Sequence, residues 1–337
     1  MTAHPAPDDP RPRPASVFDV AKVAGVSHQT VSRVLNDHPS LREATRQKVL
    51  AAMRELNYRP NAAARALSSS RSRMIGILST SSGEYGPASS VAAVEAAARS
   101  RGYSVTIANA DGLDPRSIDE AVNHLANLSA EGLVVVAPQT QVLAALSQLS
   151  IGIPFVTLQA PAGSTPGESQ LDQVVGARLA TAHLVTLGHR RIGHIAGPAE
   201  WVDASQRLAG FRQELTGQGL DADLVATGDW SAASGYRAAR ELIDRGVTAI
   251  FAGNDQMALG ALSAATAAGL HVPGELSVIG FDDVPEAAFY QPALTTVRQD
   301  LVEAGRRAVA LLLDESDDSP TVRPQLVLRA STASFSR

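Results

Sequence analysis

Three side chains that can read the edges of nucleic-acid bases lie close together near the N-terminus: His28, Gln29 and Arg33. Glutamine can pair with adenine through two hydrogen bonds, and arginine can pair with guanine in the same way. All three belong to residues 17–36, which read as two short helices joined by a turn at Gly25. The pattern predicts a helix-turn-helix, whose second helix enters the DNA major groove. A helical hairpin with a purely structural role would have a similar pattern.

Capping and apolar residues define three helices in this region. Ser16 and Ser27 are expected to cap the first two helices, and Asp19 follows Ser16 by three residues as in a capping box. A third amphipathic helix is predicted from about Glu43 to Leu56. The apolar residues expected on the inner faces of the second and third helices are Val31, Val34, Leu35, Val49, Leu50, Met53 and Leu56.

Composition and charge limit the class of protein. The net charge is −5, yet residues 15–72 carry nine Lys or Arg against four Asp or Glu, whereas residues 73–337 carry 18 against 28. A basic N-terminal region on an acidic body is typical of a DNA binder with a separate sensing domain, although a solvated basic helix face gives the same count. The chain has no cysteine, which excludes disulfides and thiolate metal sites.

Length and the first residues complete this picture. The 337 residues are enough for one small unit and one or two larger ones, and no segment approaches a membrane span. Residues 1–14 contain five prolines and no apolar run, so we expect a disordered tail rather than a signal peptide. A cytoplasmic protein is the simplest expectation.

From Met74 the chain alternates between short apolar strands and amphipathic helices, which predicts parallel sheets with right-handed crossovers. Eight strands with seven helices between them are more than one sheet of this kind comfortably holds. We therefore expect an α/β bilobal body with two doubly wound parallel sheets and a cleft at the carboxyl ends of their strands. The expected strands are Ile75–Ser79, Val105–Asn109, Leu133–Ala137, Phe155–Leu158, Ile192–Ala196, Ile250–Ala252, Ser277–Gly280 and Thr295–Val297. The expected helices lie near 89–101, 115–129, 174–187, 204–218, 231–245, 254–268 and 301–313.

Polar side chains follow several of these strands. Asn254, Asp282 and Gln299 each come shortly after an expected strand, and Arg207 lies on the helix after the fifth. Carboxylate, amide and guanidinium groups pair with sugar hydroxyls, and an indole such as that of Trp230 covers the apolar face of a sugar ring. The set therefore suggests a saccharide site. The alternatives at single positions are helix caps, a surface ion pair and an ordinary core tryptophan.

Residues 16 to about 329 resemble the lactose-repressor (LacI/GalR) family of transcriptional regulators. The motifs that carry the resemblance are DVAKVAGVSHQTVSRVLN and TRQKVLAAMRELNYRPNAAARAL near the N-terminus, and LGHRRIGHIAGP, RLAGF, GDWSA, NDQMALGAL, SVIGFDD and LTTVRQD in the body. GDWSA and NDQMALGA are nearest to the member after which the family is named. The resemblance implies a small all-α helix-turn-helix headpiece followed by a periplasmic-binding-protein-like body.

The resemblance also implies domain boundaries. They are a disordered tail at 1–14, a helix-turn-helix domain at 15–60, a hinge helix and linker at 61–73, a ligand-binding and dimerisation body at 74–329, and a tail at 330–337. Within the body, the N-lobe would comprise about 74–170 and 300–322, and the C-lobe about 171–299 and 323–329.

The family's DNA contacts carry over residue by residue. His28, Gln29 and Arg33 match positions that read bases, and the positions that match phosphate contacts are Thr30, Ser32, Asn36 and Tyr58. In the hinge helix, which folds on DNA and enters the minor groove, the matching residues are Asn61, Ala64 and Leu67. Ala64 would let paired backbones approach, and Leu67 would wedge between base steps; the alternative for Leu67 is a linker residue packed on the body. Arg42 stands where the family often has a Ser or Thr cap.

The family's sugar-binding positions match Thr80, Gln159, Arg207, Trp230, Asn254, Asp282 and Gln299. Gln159 replaces an aspartate and residues 82–85 replace a more apolar segment, so the sugar, a galactoside or another glycoside, stays open. The alternative effector is a purine. A purine site requires aromatic stacking on both faces of the base, and Thr80–Pro87 supplies only Tyr85.

The expected partners are near-palindromic operator DNA, a sugar effector and a second copy of the chain; no membrane and no cofactor are expected. Effector binding would change lobe closure and melt the hinge. No heptad series follows Leu328, so a dimer is predicted rather than a tetramer.

Two other protein classes compete with a regulator. Adjacent Asp282 and Asp283 could suggest acid–base chemistry or a metal in a sugar-processing enzyme, but the chain has no GxSxG, GxxxxGK[ST] or HExxH motif, so no enzyme is expected. A transport-type sugar-binding protein would share the bilobal body, but it would need a signal peptide and would lack the headpiece.

Overall fold

The computed structural model describes residues 15–35, 41–59, 71–80, 83–148, 151–159, 171–315 and 322–335. The chain divides into two compact units, Met1–Ser72 and Arg73–Arg337, called here the headpiece and the body. No described helix is both long and apolar enough to cross a membrane.

The described part of the headpiece contains three helices, α1 (Val17–Ala24), α2 (His28–Leu35) and α3 (Glu43–Glu55). The predicted capping box is confirmed: the backbone N–H of Ser16 donates to Asp19 Oδ2 at 2.8 Å, and that of Asp19 to Ser16 Oγ at 3.3 Å. Gly25 ends α1 with a positive φ of 65°, which glycine adopts without steric cost.

The headpiece core joins one buried face from each helix. Val20, Val31 and Val49 are fully buried, as the periodicity of α2 and α3 predicts. The prediction for Leu50 is wrong, because the buried stripe of α3 follows Val49 and Ala52 and leaves Leu50 36% exposed. Arg42 is the N-cap of α3, and its side chain makes no capping hydrogen bond. This agrees with the sequence, in which Arg42 replaces a Ser or Thr whose hydroxyl could cap the helix.

The N-lobe of the body is a four-stranded parallel sheet in the order β2-β1-β3-β4. Its elements are β1 (Met74–Ser79), α4 (Tyr85–Ser100), β2 (Ser104–Asn109), α5 (Pro115–Asn127), β3 (Gly132–Val136), α6 (Thr140–Gln148) and β4 (Phe155–Thr157). Alternate strand residues enter separate buried clusters, Ile77 and Val134 on one face of the sheet and Leu78 and Val135 on the other. Helices therefore cover both faces.

The C-lobe repeats this plan with the strand order β6-β5-β7-β8. Its elements are α7 (Gln173–Thr186), β5 (Ile192–Ala196), α8 (Val202–Gly217), β6 (Val225–Thr227), α9 (Ala232–Asp244), β7 (Ala249–Ala252), α10 (Asp255–Ala267), β8 (Ser277–Ile279) and a 3₁₀ turn (Pro285–Phe289). Phe251 and Ile279 face one buried cluster, and Ile250 and Val278 face the other. The predicted pair of doubly wound sheets is confirmed.

The chain passes between the lobes three times. The first passage follows β4, and the second lies between β9 (Thr296–Arg298) and α11 (Leu301–Leu312), which packs on the N-lobe cluster. The third returns to β10 (Gln325–Val327), which pairs antiparallel with β9. These passages place the ends of both sheets on either side of one cleft.

Several short elements differ from the prediction. The strands β6 and β10 were not predicted, because three residues are too few for an alternating pattern. The helix α6 and the 3₁₀ turn were also missed, and β9 lies one residue further along than predicted.

The described part of the predicted C-terminal tail, residues 330–335, packs on the C-lobe. Ser331 is fully buried and its hydroxyl donates to the carbonyl of Val278 at 2.6 Å. The backbone N–H of Phe335 donates to the carbonyl of Leu187 at 2.7 Å, and its ring lies 5.3 Å from that of His189. The packed C-lobe therefore extends beyond residue 329, where the sequence placed the end of the body. The contacts of residues 330–335 are polar and aromatic, so the pattern of apolar residues did not indicate them.

Candidate functional site

One face of α2 is open to solvent. His28, Gln29 and Arg33 are exposed, whereas Val31 and Val34 on the opposite side are buried in the headpiece core. Positions 29 and 33 are one helical turn apart and share a face. The three predicted base-reading side chains therefore lie together where a groove of DNA could receive them.

The predicted phosphate-contacting residues lie around this face. The backbone N–H of Thr30 donates to Ser27 Oγ at 3.2 Å, so Ser27 caps α2 as predicted, and the hydroxyls of Thr30 and Ser27 lie 2.9 Å apart. Ser32 and Tyr58 are half-buried, and Tyr58 packs against the headpiece core. The remaining predicted DNA-contacting positions, Asn36, Asn61, Ala64 and Leu67, lie outside the described residues.

A narrow cleft, open on one side to solvent, lies at the carboxyl ends of the strands of both lobes. Six of the seven predicted ligand positions line it: Gln159, Arg207, Trp230, Asn254, Asp282 and Gln299. Thr80 is not among its lining residues, and its hydroxyl instead donates to the side chain of Gln139. The strand-end pattern in the sequence therefore predicted the position of Asn254, Asp282 and Gln299 at one cleft, whereas Thr80 does not line it.

Arg207 is the centre of a polar network in this cleft. Its Nε donates to Gln173 Oε1 at 2.9 Å, its Nη2 to Asp282 Oδ1 at 3.2 Å, and its Nη1 to the carbonyl of Gly253. Its Cζ lies 3.9 Å from the centre of the Phe281 ring. Arg207 is only 4% exposed, so the surface ion pair considered from the sequence is excluded.

Asp282 and Gln299 extend this network. Gln299 Nε2 donates to Asp282 Oδ1 at 3.0 Å, and Gln299 Oε1 accepts from Gln173 Nε2 at 2.8 Å. Burial raises the pKa of Asp282, while the Arg207 guanidinium and these hydrogen bonds oppose that rise. The pairing leaves a buried carboxylate in direct contact with one cation.

Asn254 and Trp230 line the same cleft next to Arg207, whose Cζ lies 5.7 Å from the centre of the Trp230 ring. Asn254 is the N-cap of α10, accepting from the backbone N–H of Met257 at 2.8 Å, and its Nδ2 donates to the carbonyl of Trp230 at 3.0 Å. Asn254 thus serves both as the helix cap considered from the sequence and as a support for Trp230. The Trp230 ring packs edge-on against that of Trp201 at 5.3 Å. Another close neighbour of the Trp230 ring is Gly197, where a Cβ would overlap the indole.

Asp283 serves a different purpose from its neighbour. Its two oxygens pair with Arg298 Nη2 and Arg329 Nη2, each at 2.6 Å. This brace holds the loop after β8, where Asp282 and Asp283 both have positive φ. The two adjacent carboxylates therefore have different surroundings, since Asp282 lines the cleft and Asp283 is paired with two arginines.

Sequence reasoning placed Glu84 and Tyr85 at the cleft, within residues 82–85, but missed three other lining residues, namely Gln173, Trp201 and Asp203. Gln173 and Trp201 lie at helix starts with no distinctive spacing. Asp203 lies four residues before Arg207, so both are on one face of α8, a signal that could have been used. Burial raises the pKa of Asp203 to about 6, against the opposing charge of Arg207.

Comparison with known proteins identifies the family. Residues 16–61 match the model for bacterial regulatory proteins of the lacI family, and residues 181–332 match that of a periplasmic binding protein-like domain. The chain is 37% identical to the lactose operon repressor of Escherichia coli strain K12, over 94% of this chain and 88% of the repressor. The chain belongs to the LacI family.

Other members of the LacI family are similar over comparable lengths. The HTH-type transcriptional repressor PurR of Klebsiella pneumoniae strain 342 is 36% identical over 95% of this chain and 97% of its own. A crystal structure of the lac repressor dimer bound to operator and the anti-inducer ONPF matches with a TM-score of 0.84, 34% identity and coverage of 95% and 100%. A structure of the regulator CelR with cellobiose gives a TM-score of 0.68 and 31% identity, with coverage of 94% and 99%. This LacI-family chain is a DNA-binding transcriptional repressor.

Proposed function

We propose that this repressor binds a near-palindromic operator as a homodimer and that a small sugar in the body cleft controls its affinity for DNA. The observation that carries the sugar assignment is the network of Arg207, Asp282 and Gln299 beside the Trp230 indole in one cleft. Such groups pair with hydroxyls and cover the apolar face of a sugar ring.

Two further polar atoms support a ligand in this cleft. Among the described residues, Gln159 Oε1 and Trp230 Nε1 are buried without a hydrogen-bond partner. A buried polar atom without a partner is unfavourable, and a bound polyol would supply partners to both. Solved relatives include a lac repressor bound to ONPG and the CelR–cellobiose complex, which favour the same ligand class.

A purine is the alternative effector, because PurR is similar to this chain along its whole length. A purine site needs aromatic rings parallel to both faces of the base. The cleft instead presents Trp201 and Trp230 at an interplanar angle of 60°, with Tyr85 on the N-lobe side. This arrangement favours a sugar.

The proposed mechanism is a linked equilibrium. Two bodies would pair and bring two α2 helices onto the two halves of the operator, with the hinge residues Asn61, Ala64 and Leu67 in the minor groove. Effector binding would change lobe closure and weaken DNA binding by a coupling of roughly 1–3 kcal/mol. Because coupling is reciprocal, operator DNA should weaken sugar binding by the same factor.

The headpiece prediction is tested by two substitutions on α2. Since His28 would contact base edges, His28→Ala should change the preferred operator sequence, whereas Ser32→Ala should weaken all operators about equally. Operator selection from a randomised pool, followed by fluorescence anisotropy, measures both effects. Wild-type affinity should also fall by about 10³–10⁵ between ~50 and ~200 mM salt if ~6–10 phosphates are contacted. Identical operator preferences for His28→Ala and the wild type would contradict the assignment.

The effector prediction is tested by calorimetry on the full chain with mono- and disaccharides and with purine bases. A sugar should bind, and adding operator should lower its affinity by about 5–150-fold. If a purine binds and no sugar does, the sugar assignment is wrong and the effector is a purine. Equal sugar affinity with and without operator would contradict allosteric control.

A further inference from the structure

Asp203 is a buried carboxylate in the cleft that the network around Arg207 does not use. It lies in the first turn of α8, lines the cleft and is only 9% exposed. Among the described residues its carboxylate makes no hydrogen bond or ion pair, whereas the carboxylate of the neighbouring Asp282 makes both. A carboxylate can only accept hydrogen bonds, so Asp203 presents two acceptor oxygens to whatever enters.

The charge of the cleft lining is unbalanced around Asp203. Among the described lining residues, Glu84, Asp203 and Asp282 are acidic, and Arg207 is the only basic one. Each of the three guanidinium nitrogens of Arg207 already donates within the protein, one of them to Asp282. The guanidinium of Arg207 is therefore bonded to Asp282, and among the described residues Asp203 and Glu84 make no ion pair, although the charge of Arg207 opposes the rise in the pKa of Asp203.

An acidic residue in the first turn of a helix has a structural explanation as well, since it is stabilised by the positive end of the helix dipole. That interaction contributes only about 0.3–1 kcal/mol at exposed sites. Burying a carboxylate without a partner is unfavourable by more than this, typically several kcal/mol. The dipole alone does not explain why a carboxylate occupies this buried position.

We propose that the effector of this repressor is an amino sugar whose protonated amine binds the carboxylate of Asp203. The ammonium group supplies up to three hydrogen-bond donors and the missing positive charge, while the hydroxyls of the ring contact Asp282 and Gln299. A phosphorylated or acidic sugar would meet uncompensated carboxylates and is excluded from the cleft. This inference rests on the proposed sugar-responsive function and specifies its ligand class.

The test compares D-glucosamine and D-galactosamine with their N-acetyl forms, parent sugars and 6-phosphates, using calorimetry on the full-length protein. The amine should bind at least about tenfold more tightly than its N-acetyl form, and the phosphates should not bind. In Asp203→Asn this preference should disappear, while Asp203→Glu should keep part of it. Asp244→Asn, at an exposed carboxylate, is the matched control and should bind as the wild type does.

The pH dependence of binding provides an independent readout. Burial raises the pKa of Asp203 to about 6, so the carboxylate is charged near pH 8 and protonated near pH 5. The amine of the sugar is itself only partly protonated at pH 8, since such amines titrate near about 8. Amine binding by the wild type should therefore be tightest near pH 7 and weaken towards pH 5 as Asp203 is protonated. The weakening below pH 7 should be smaller in Asp203→Asn. The other groups facing the site are Arg207, Asp282, Glu84 and Tyr85; the pKa of Tyr85 is raised above 10, so it stays neutral.

The outcomes separate this inference from the proposed function. If a neutral sugar binds as tightly as its amine and Asp203→Asn leaves selectivity unchanged, the amino-sugar inference is wrong while sugar control stands. If Asp203→Asn lowers Tm and has no effect on selectivity, Asp203 only stabilises α8 and the inference is wrong. If no sugar of the panel binds, the proposed function fails and the inference with it.

Discussion

Gly260→Ala should destabilise the body by about 3 kcal/mol or more, because the new methyl group has no room. Gly260 lies on α10 where this helix crosses α9. A Cβ there would overlap the carbonyl oxygen of Ala232 and lie 2.5 Å from the backbone nitrogen of Tyr236. Gly235 on α9 approaches the backbone of Met257 just as closely, so the two glycines interlock. Backbone atoms cannot rotate away as side chains do, so the helices would have to separate.

The matched control is Gly217→Ala, at the last residue of α8. No atom lies within 4 Å of a Cβ built there. Alanine should be neutral or stabilise the protein by up to about 1 kcal/mol, because it favours the helix more than glycine does. Calorimetric Tm values of both variants measure the contrast. A Tm for Gly260→Ala equal to that of Gly217→Ala would show that α9 and α10 are not packed this closely.

Replacing Arg207 with Met should destabilise the body by about 3–5 kcal/mol and remove sugar binding. The substitution removes three hydrogen bonds and the guanidinium stacked 3.9 Å from the centre of the Phe281 ring. It also leaves Asp282, which is 8% exposed, without its counter-charge. The pKa of Asp282 should then rise further, since Arg207 is the main influence that opposes its burial.

Two comparisons make this result specific. Arg178→Met removes an arginine whose side chain is 54% exposed and pairs with Glu214 at 3.2 Å, and it should cost less than about 1 kcal/mol. The double variant Arg207→Met, Asp282→Asn should lose less free energy of unfolding than the two single variants lose together, because it no longer buries an unpaired carboxylate. Additive losses would mean that Arg207 and Asp282 do not stabilise each other.

Much of the fold could be predicted from the sequence because local signals agreed with the tertiary structure. The caps at Ser16 and Ser27, with the turn at Gly25, defined α1 and α2. In the body, apolar strands and amphipathic helices alternated clearly enough to indicate two doubly wound sheets. The strands β6 and β10 were not predicted, because a strand of only three residues is too short to show an alternation of buried and exposed side chains.

The cleft was predictable to the extent that it follows from topology. Asn254, Asp282 and Gln299 come after strands, and parallel strands bring their carboxyl ends together. Gln173 could not be found in this way, because it reaches the cleft only through the passage of the chain between the lobes. Which polar atoms lack partners, as Asp203 does, depends on the packed structure and is not encoded in spacing.

The three passages of the chain between the lobes have a consequence for synthesis on the ribosome. The N-lobe strands β1 to β4 emerge first, but α11, which buries Ile77 and Val134 with its own apolar face, emerges only after the whole strand set β5 to β9. The N-lobe therefore cannot complete its core until more than a hundred later residues have been translated. Until α11 has been translated, one apolar face of the N-lobe sheet stays exposed in the nascent chain. We expect chaperones to bind the nascent chain during this interval.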